Sequence, residues 1–162
     1  MDDTLRGVSL LHTDSHAHWM ALAFKEAEKA FTLKEVPVGA VVVLNNQIIG
    51  RGYNQREALK DPTAHAEILA ITAAANYVED WRLKEATLYV TLEPCPMCAG
   101  AILNARIPRV VFGADDLEHG ACGGAVQLCS GKFLNHKVEV IGGILEYKCK
   151  GILDSFFKAT RK

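Results

Sequence analysis

Two short motifs carry the reactive side chains, His65-Ala66-Glu67 and Pro94-Cys95-Pro96-Met97-Cys98. Helical periodicity follows each, and a β-rich run precedes the second. Cys95 and Cys98 are three apart, a spacing that puts both sulfurs on one face at a helix start. Pro96 suits the first helical position, where its missing N–H costs nothing. The unpaired N–H groups and the positive end of the dipole favour thiolate there, and thiolate is the metal-binding form. Two thiolates and one imidazole favour zinc. Three protein ligands leave a position open for water, the pattern of a catalytic rather than a structural zinc. A fourth ligand would have to come from His119, Cys122 or Cys129, none of which is tightly spaced from the cluster.

Glu67 follows His65 by two positions, and in a regular helix such residues do not face each other. They converge only if His65 lies at the first turn, where the loop through Asp61-Pro62-Thr63 sets its direction. A carboxylate there can take a proton from a metal-activated water and pass it on. Glu67 is therefore expected to shuttle protons, not to bind the ion. Taken alone, His-x-Glu means nothing, and Cys-x-x-Cys fits a redox pair or half of a zinc ribbon. A zinc-stabilised RNA-binding module without catalysis is a further alternative. Glu67 and the lack of an obvious fourth ligand argue against it. The two motifs together form the signature of zinc-dependent nucleobase deaminases.

The elements that must position these groups are visible as periodicities. A first helix is expected over residues 16–32, capped by Ser15, with Met20, Ala23, Phe24, Ala27 and Phe31 facing the core. Residues 1–15 lack periodicity and are expected to be a loose extension. Two β-rich runs, 38–44 and 47–53, flank Asn45-Asn46 and predict a hairpin. A polar loop covers 57–63. A second helix then starts near Thr63 or Ala64, with Ile68, Ile71, Thr72 and Ala75 as its buried stripe. A strand at 86–91, a small-residue helix at 96–105, strands at 109–113 and 138–141 and a helix at 145–159 complete the chain. The last helix would bury Leu145, Cys149, Ile152, Leu153 and Phe156. Such alternation predicts an α/β fold, a sheet with helices on both faces.

The chain of 162 residues, 49% apolar with a net charge of −1, fits one globular domain. Its longest early uncharged stretch, Val36 to Gly50, has 15 residues broken by Gly39 and two asparagines. That is short of the roughly 20 needed to span a bilayer. The near-neutral balance speaks against broad duplex binding but leaves room for a site gripping a few nucleotides. The start, Met1-Asp2-Asp3-Thr4, is acidic, and the five cysteines are an odd number. Both features suit a reduced, cytoplasmic setting, with cysteines as thiols or metal ligands.

Four stretches resemble the bacterial tRNA-specific adenosine deaminases of the cytidine deaminase-like superfamily: Glu35 to Ala40, Asp61 to Ile68, Ala86 to Ala101 and Arg109 to Ala114. The resemblance covers about residues 16–158. It implies a three-layer α/β/α fold with a five-stranded mixed sheet. The arrangement would be one deaminase domain over 16–162 after an extension at 1–15, in a homodimer with one zinc ion per subunit. It also implies hydrolytic conversion of adenosine to inosine at the wobble position of a tRNA anticodon arm. His65, Cys95 and Cys98 match the zinc ligands and Glu67 the acid/base. Asn54 matches the residue that hydrogen-bonds the target base. Val38, Ala66 and Pro94 match wall positions, Asp116 a position beside the target nucleotide, and Phe157 an aromatic of the cleft. Asp115 and Glu118 stand where some relatives carry basic residues. With Asp116 they repel phosphate, so phosphate contacts are expected from Arg106, Lys132, Lys137, Lys148, Lys150, Lys158, Arg161 or Lys162. The alternative is a deaminase of a free base such as guanine or cytosine.

Overall fold

The computed structural model describes residues 3–130 and 136–160, with side chains from residue 15 onward. The branched run of Val41, Val42 and Val43 forms the centre of strand β1 (Gly39–Leu44), buried on both faces. Asn45 and Asn46 follow at φ 50° and 59°, the left-handed pair that a two-residue hairpin turn requires. Strand β2 (Gln47–Tyr53) returns antiparallel, with a register shift between Val42 and Val43. Strand β3 (Thr87–Leu92) lies antiparallel on the other side of β1. Strands β4 (Arg109–Ala114) and β5 (Glu139–Ile141) continue parallel to β3. The order β2-β1-β3-β4-β5 is the expected five-stranded mixed sheet.

Five helices complete the described residues: α1 (Asp3–Thr32), α2 (Arg56–Leu59), α3 (Ala66–Val78), α4 (Pro96–Asn104) and α5 (Glu146–Thr160). Glycines show which face each covers. Gly39 of β1 lies against the α1 backbone at Ala23 and Ala27, while Gly50 and Gly52 of β2 lie against α3 at Ala66, Ala70 and Ala74. Gly52 pairs with Ala40, one residue along from Gly39, so α1 and α3 cover opposite faces. Gly113 of β4 meets Cys149 of α5, on the α1 side by the same alternation. The result is the three-layer α/β/α arrangement.

Several expectations need correction. The backbone is helical from Asp3, so Ser15 lies within α1 and does not cap it. No proline interrupts residues 1–32, and the helix simply extends upstream. Phe31 is 40% exposed, and Ala30 takes the buried position instead. On α3 the buried residues are Ala66, Glu67, Ala70 and Ala74, not the stripe through Ile68 and Ile71. The glycines of β2 admit the helix so closely that only methyl groups fit between. The segment read as a loop also contains the single turn α2.

That close approach makes a testable asymmetry. A Cβ on Gly39 would lie 2.1 Å from the Ala23 carbonyl oxygen and 2.3 Å from the Ala27 nitrogen, both backbone atoms that cannot step aside. Gly39→Ala is expected to destabilise the chain by about 3 kcal/mol, read as a lower denaturant midpoint at unchanged slope. Gly100→Ala, in α4 with nothing within 4 Å of the added carbon, is expected to stabilise by up to about 1 kcal/mol.

Candidate metal centre and active site

Both motifs sit where irregular backbone hands over to a helix. The Asp61 carboxylate accepts hydrogen bonds from the Thr63 N–H and hydroxyl, both at 2.8 Å, and so shapes the turn before α3. His65 is the N-cap of α3, extended at φ −75° and ψ 153°. Its direction is thus set by the loop, and Glu67 lies in the first turn with 4% of its surface exposed. Cys95 is likewise the N-cap of α4, with Pro96 opening the helix and Cys98 buried in its first turn. The two helix starts point at one place.

His65 Nδ1 lies 3.6 Å from Cys95 Sγ and 3.5 Å from Cys98 Sγ. All three ligand atoms fall within 4.8 Å of one another. A tetrahedron with Zn–N near 2.0–2.1 Å and Zn–S near 2.3 Å has N···S edges of roughly 3.5–3.6 Å. The spacing therefore suits a tetrahedral ion of that size, and among the described residues this is the one such cluster. Neither His119 nor Cys122 nor Cys129 joins it. The thiols are primed for a cation. The Cys98 S–H and the His65 ring both hydrogen-bond the Cys95 sulfur and hold its pKa down to about 4. That same partnership, with burial, pushes the Cys98 thiol up. A bound cation takes the place of the remaining proton. Burial raises the Glu67 carboxyl to about 7, and its side chain interacts with the Cys98 thiol.

A cavity of about 420 Å³ opens over this group, a size that suits a small ligand such as a nucleobase. Of the residues singled out in the sequence, Val38, Asn54, His65, Ala66, Glu67, Cys95, Asp116 and Phe157 line it. Pro94 does not; it is buried, and its carbonyl accepts the Ala121 N–H at 2.8 Å. Cys98 is fully buried beneath the cavity. Asn54 is 7% exposed and locked by backbone partners. Its Nδ2 donates to the Val36 carbonyl at 3.2 Å, and its Oδ1 accepts the Arg56 N–H at 3.2 Å. Phe157 is 42% exposed and packs edge-on against Phe156.

Arg56, Glu35 and Glu93, to which motif reasoning assigned no role, belong to the same surroundings, as does His119, which was considered only as a fourth ligand. Arg56 and His119 line the cavity mouth. Glu35, 1% exposed, accepts the N–H groups of Glu57 and Ala58 and so pins the loop that carries Asn54 and Arg56. Glu93, 3% exposed, accepts the N–H groups of Asp116, Cys122 and Gly124. Removing this carboxylate leaves three backbone donors without their partner. Glu93→Ala is expected to cost about 3 kcal/mol or more in chemical denaturation. It should also loosen the segment carrying Asp116.

The acidic segment is less hostile than its composition suggests. The Asp116 carboxylate accepts the N–H groups of Glu118 and His119 at 3.1 and 3.0 Å, so it turns back into its own loop. Asp115 and Glu118 are exposed and outside the cavity lining. Of the expected phosphate contacts, Lys132, Arg161 and Lys162 lie outside the described residues. None of the others lines the cavity. Arg106 is engaged elsewhere, donating to the carbonyls of Leu103 and Asn104 and lying 5.7 Å from the Trp81 ring centre. The cationic group at the cavity is Arg56.

Comparison with known proteins places this architecture. Residues 14–161 match the MafB19-like deaminase family. The tRNA-specific adenosine deaminase of Bacillus subtilis (strain 168) is 49% identical over 144 residues, 89% of each chain. A solved structure from a study of A-to-I editing by tRNA:A34 deaminases at the wobble position superposes with a TM-score of 0.81. It is 45% identical and covers 84% of this chain and 99% of its own. The guanine deaminase of Bacillus subtilis is 37% identical with a TM-score of 0.58, over 60% of this chain and 63% of its own. Identity approaching one half, sustained across most of both chains, shows the kinship: this chain belongs to the tRNA-specific adenosine deaminases, within the MafB19-like deaminase family.

Proposed function

We propose that the cavity receives the wobble adenosine of a tRNA anticodon arm and converts it to inosine by hydrolysis. The observation that carries this reading is the convergence of Glu67, Asn54 and the His65–Cys95–Cys98 group in one base-sized cavity. The chain that holds it is read as a single deaminase domain over 16–162.

His65 Nδ1, Cys95 Sγ and Cys98 Sγ would hold one zinc ion per subunit, and their mutual distances fit it. When bound, zinc makes water acidic enough to serve as a nucleophile near neutral pH. The remaining steps fall to the chain's own residues. Asn54 keeps one amide hydrogen and an oxygen lone pair free beyond its backbone bonds, and presents them to the edge of the base. Val38 and Ala66 form the apolar wall, while Pro94 lies outside the lining and ties the backbone next to Cys95 through its carbonyl's bond from the Ala121 N–H. Phe157 offers a ring face at the rim. Glu67 takes the water proton, delivers it to the purine ring nitrogen beside C6, and then assists departure of the amine as ammonia. Arg56 supplies the phosphate contact that the acidic segment lacks, while Asp116 borders the nucleotide.

An anticodon base already stands in a loop, so bringing it into the cavity costs less than extruding one from a duplex. The protein is read as a cytoplasmic homodimer. The half-exposed Ile68, Leu69 and Ile71 of α3 offer an apolar surface for the second copy. Among the described residues no helix is long and apolar enough to cross a membrane.

The test uses two anticodon stem-loops that differ in one respect, adenosine at the wobble position or at the next loop position. Digestion and mass spectrometry should find inosine in the first alone. Equal conversion of both would overturn the wobble assignment.

A further inference from the structure

Two cysteines take no part in the metal site, yet stand together. Cys122 Sγ lies 3.4 Å from Cys129 Sγ, and both side chains are buried. A short hairpin holds them. The Leu128 N–H donates to the Ala121 carbonyl at 2.9 Å, and the Gly123 N–H to the Val126 carbonyl at 3.0 Å. Cys122 bridges to Gln127, and the Gln127 side chain accepts the Cys129 N–H at 3.1 Å. On the other side, Glu93 anchors the N–H groups of Cys122 and Gly124. The backbone is thus tied on both flanks, and the sulfurs of residues seven positions apart meet across a turn. A disulfide needs about 2.05 Å between sulfurs, so the pair must draw closer still to bond.

We propose that Cys122 and Cys129 are a redox-active dithiol that closes to an intramolecular disulfide by exchange with a low-molecular-weight disulfide. The hydrogen bond from Cys122 holds the Cys129 thiol below its ordinary pKa and raises that of Cys122, so Cys129 attacks first. Its thiolate displaces one thiolate from the reagent and leaves a mixed disulfide on Cys129. The Cys122 thiolate then attacks Cys129 Sγ and releases the second thiolate. The pair loses two electrons, the reagent's S–S bond gains them, and the two thiol protons end on the released thiols. Cys129 has no exposed surface, so the reaction waits on opening of the hairpin, whose Gly123, Ala125, Val126 and Gln127 are exposed or half-exposed. Cys149 is the internal contrast. It is buried against Gly113 with no sulfur partner among the described residues, and burial pushes its thiol up to about 11.

The experiment incubates the folded, zinc-loaded protein with oxidised glutathione, quenches with acid, alkylates under denaturing conditions and maps the peptides. The expected result is a cross-linked peptide joining Cys122 to Cys129 in most chains, with Cys149 alkylated. Cys122→Ser and Cys129→Ser should each abolish the cross-link and leave at most a glutathione adduct on the surviving thiol. Full alkylation of both cysteines in the folded wild type would overturn the proposal. So would a bridge from either to Cys95, Cys98 or Cys149, or a bridge that forms only in the unfolded chain.

Discussion

Glu67→Gln is expected to yield a folded, metal-loaded protein whose deamination rate is at least about 10³-fold lower. The amide keeps the shape of the carboxyl and cannot carry a proton. Glu67 is 4% exposed, and its burial disfavours the charged form, so replacing it with a neutral group should not lower stability. The His65–Cys95–Cys98 group does not use Glu67 as a ligand, so the metal content should stay at one per chain. The measurement pairs elemental analysis with single-turnover conversion of an anticodon stem-loop. A variant that retains a rate within tenfold of the wild type would remove Glu67 from the proton pathway.

The second large effect is loss of the ion. Cys98→Ser replaces a buried soft donor by a hard one of nearly the same size, so packing survives and coordination does not. Metal content is expected to fall to a small fraction of one per chain, with activity below detection. Far-UV circular dichroism should be preserved, because the sheet and its two helix layers are held by an extensive apolar core that does not depend on the ion. The thermal midpoint should fall, since an ion held by His65, Cys95 and Cys98 would join the starts of α3 and α4. Chelation of the wild type should give the same loss, reversed by adding zinc. A Cys98→Ser chain that keeps a full complement of metal would mean that another residue supplies the third ligand.

Much of this site was legible from local spacing. The placement of His65 and Cys95 at helix starts follows from Pro62 and Pro96, and the hairpin from Asn45-Asn46. Those signals act within a few residues. The features that escaped act across the fold. Glu35 and Glu93 look like surface acids, yet each bonds backbone N–H groups more than twenty residues away. The hint for Glu93 was an acidic residue ending an apolar strand, with Gly120 and Gly124 downstream to admit it. The α3 stripe was misread because hydropathy favours Ile68 and Ile71, whereas contact with Gly50 and Gly52 selects alanines. Asp116 was read as a repelling charge because its capture by its own loop is a matter of backbone geometry. Arg56 drew no notice in a polar stretch, where nothing local marks it as a cavity residue.

The most direct test offers the zinc-loaded protein a wobble-adenosine anticodon stem-loop together with free guanine, cytosine and adenine in one reaction. Inosine in the stem-loop, with the free bases unchanged, is the expected result. Conversion of a free base while the stem-loop stays intact would contradict the assignment of tRNA as substrate and leave only the metal chemistry standing.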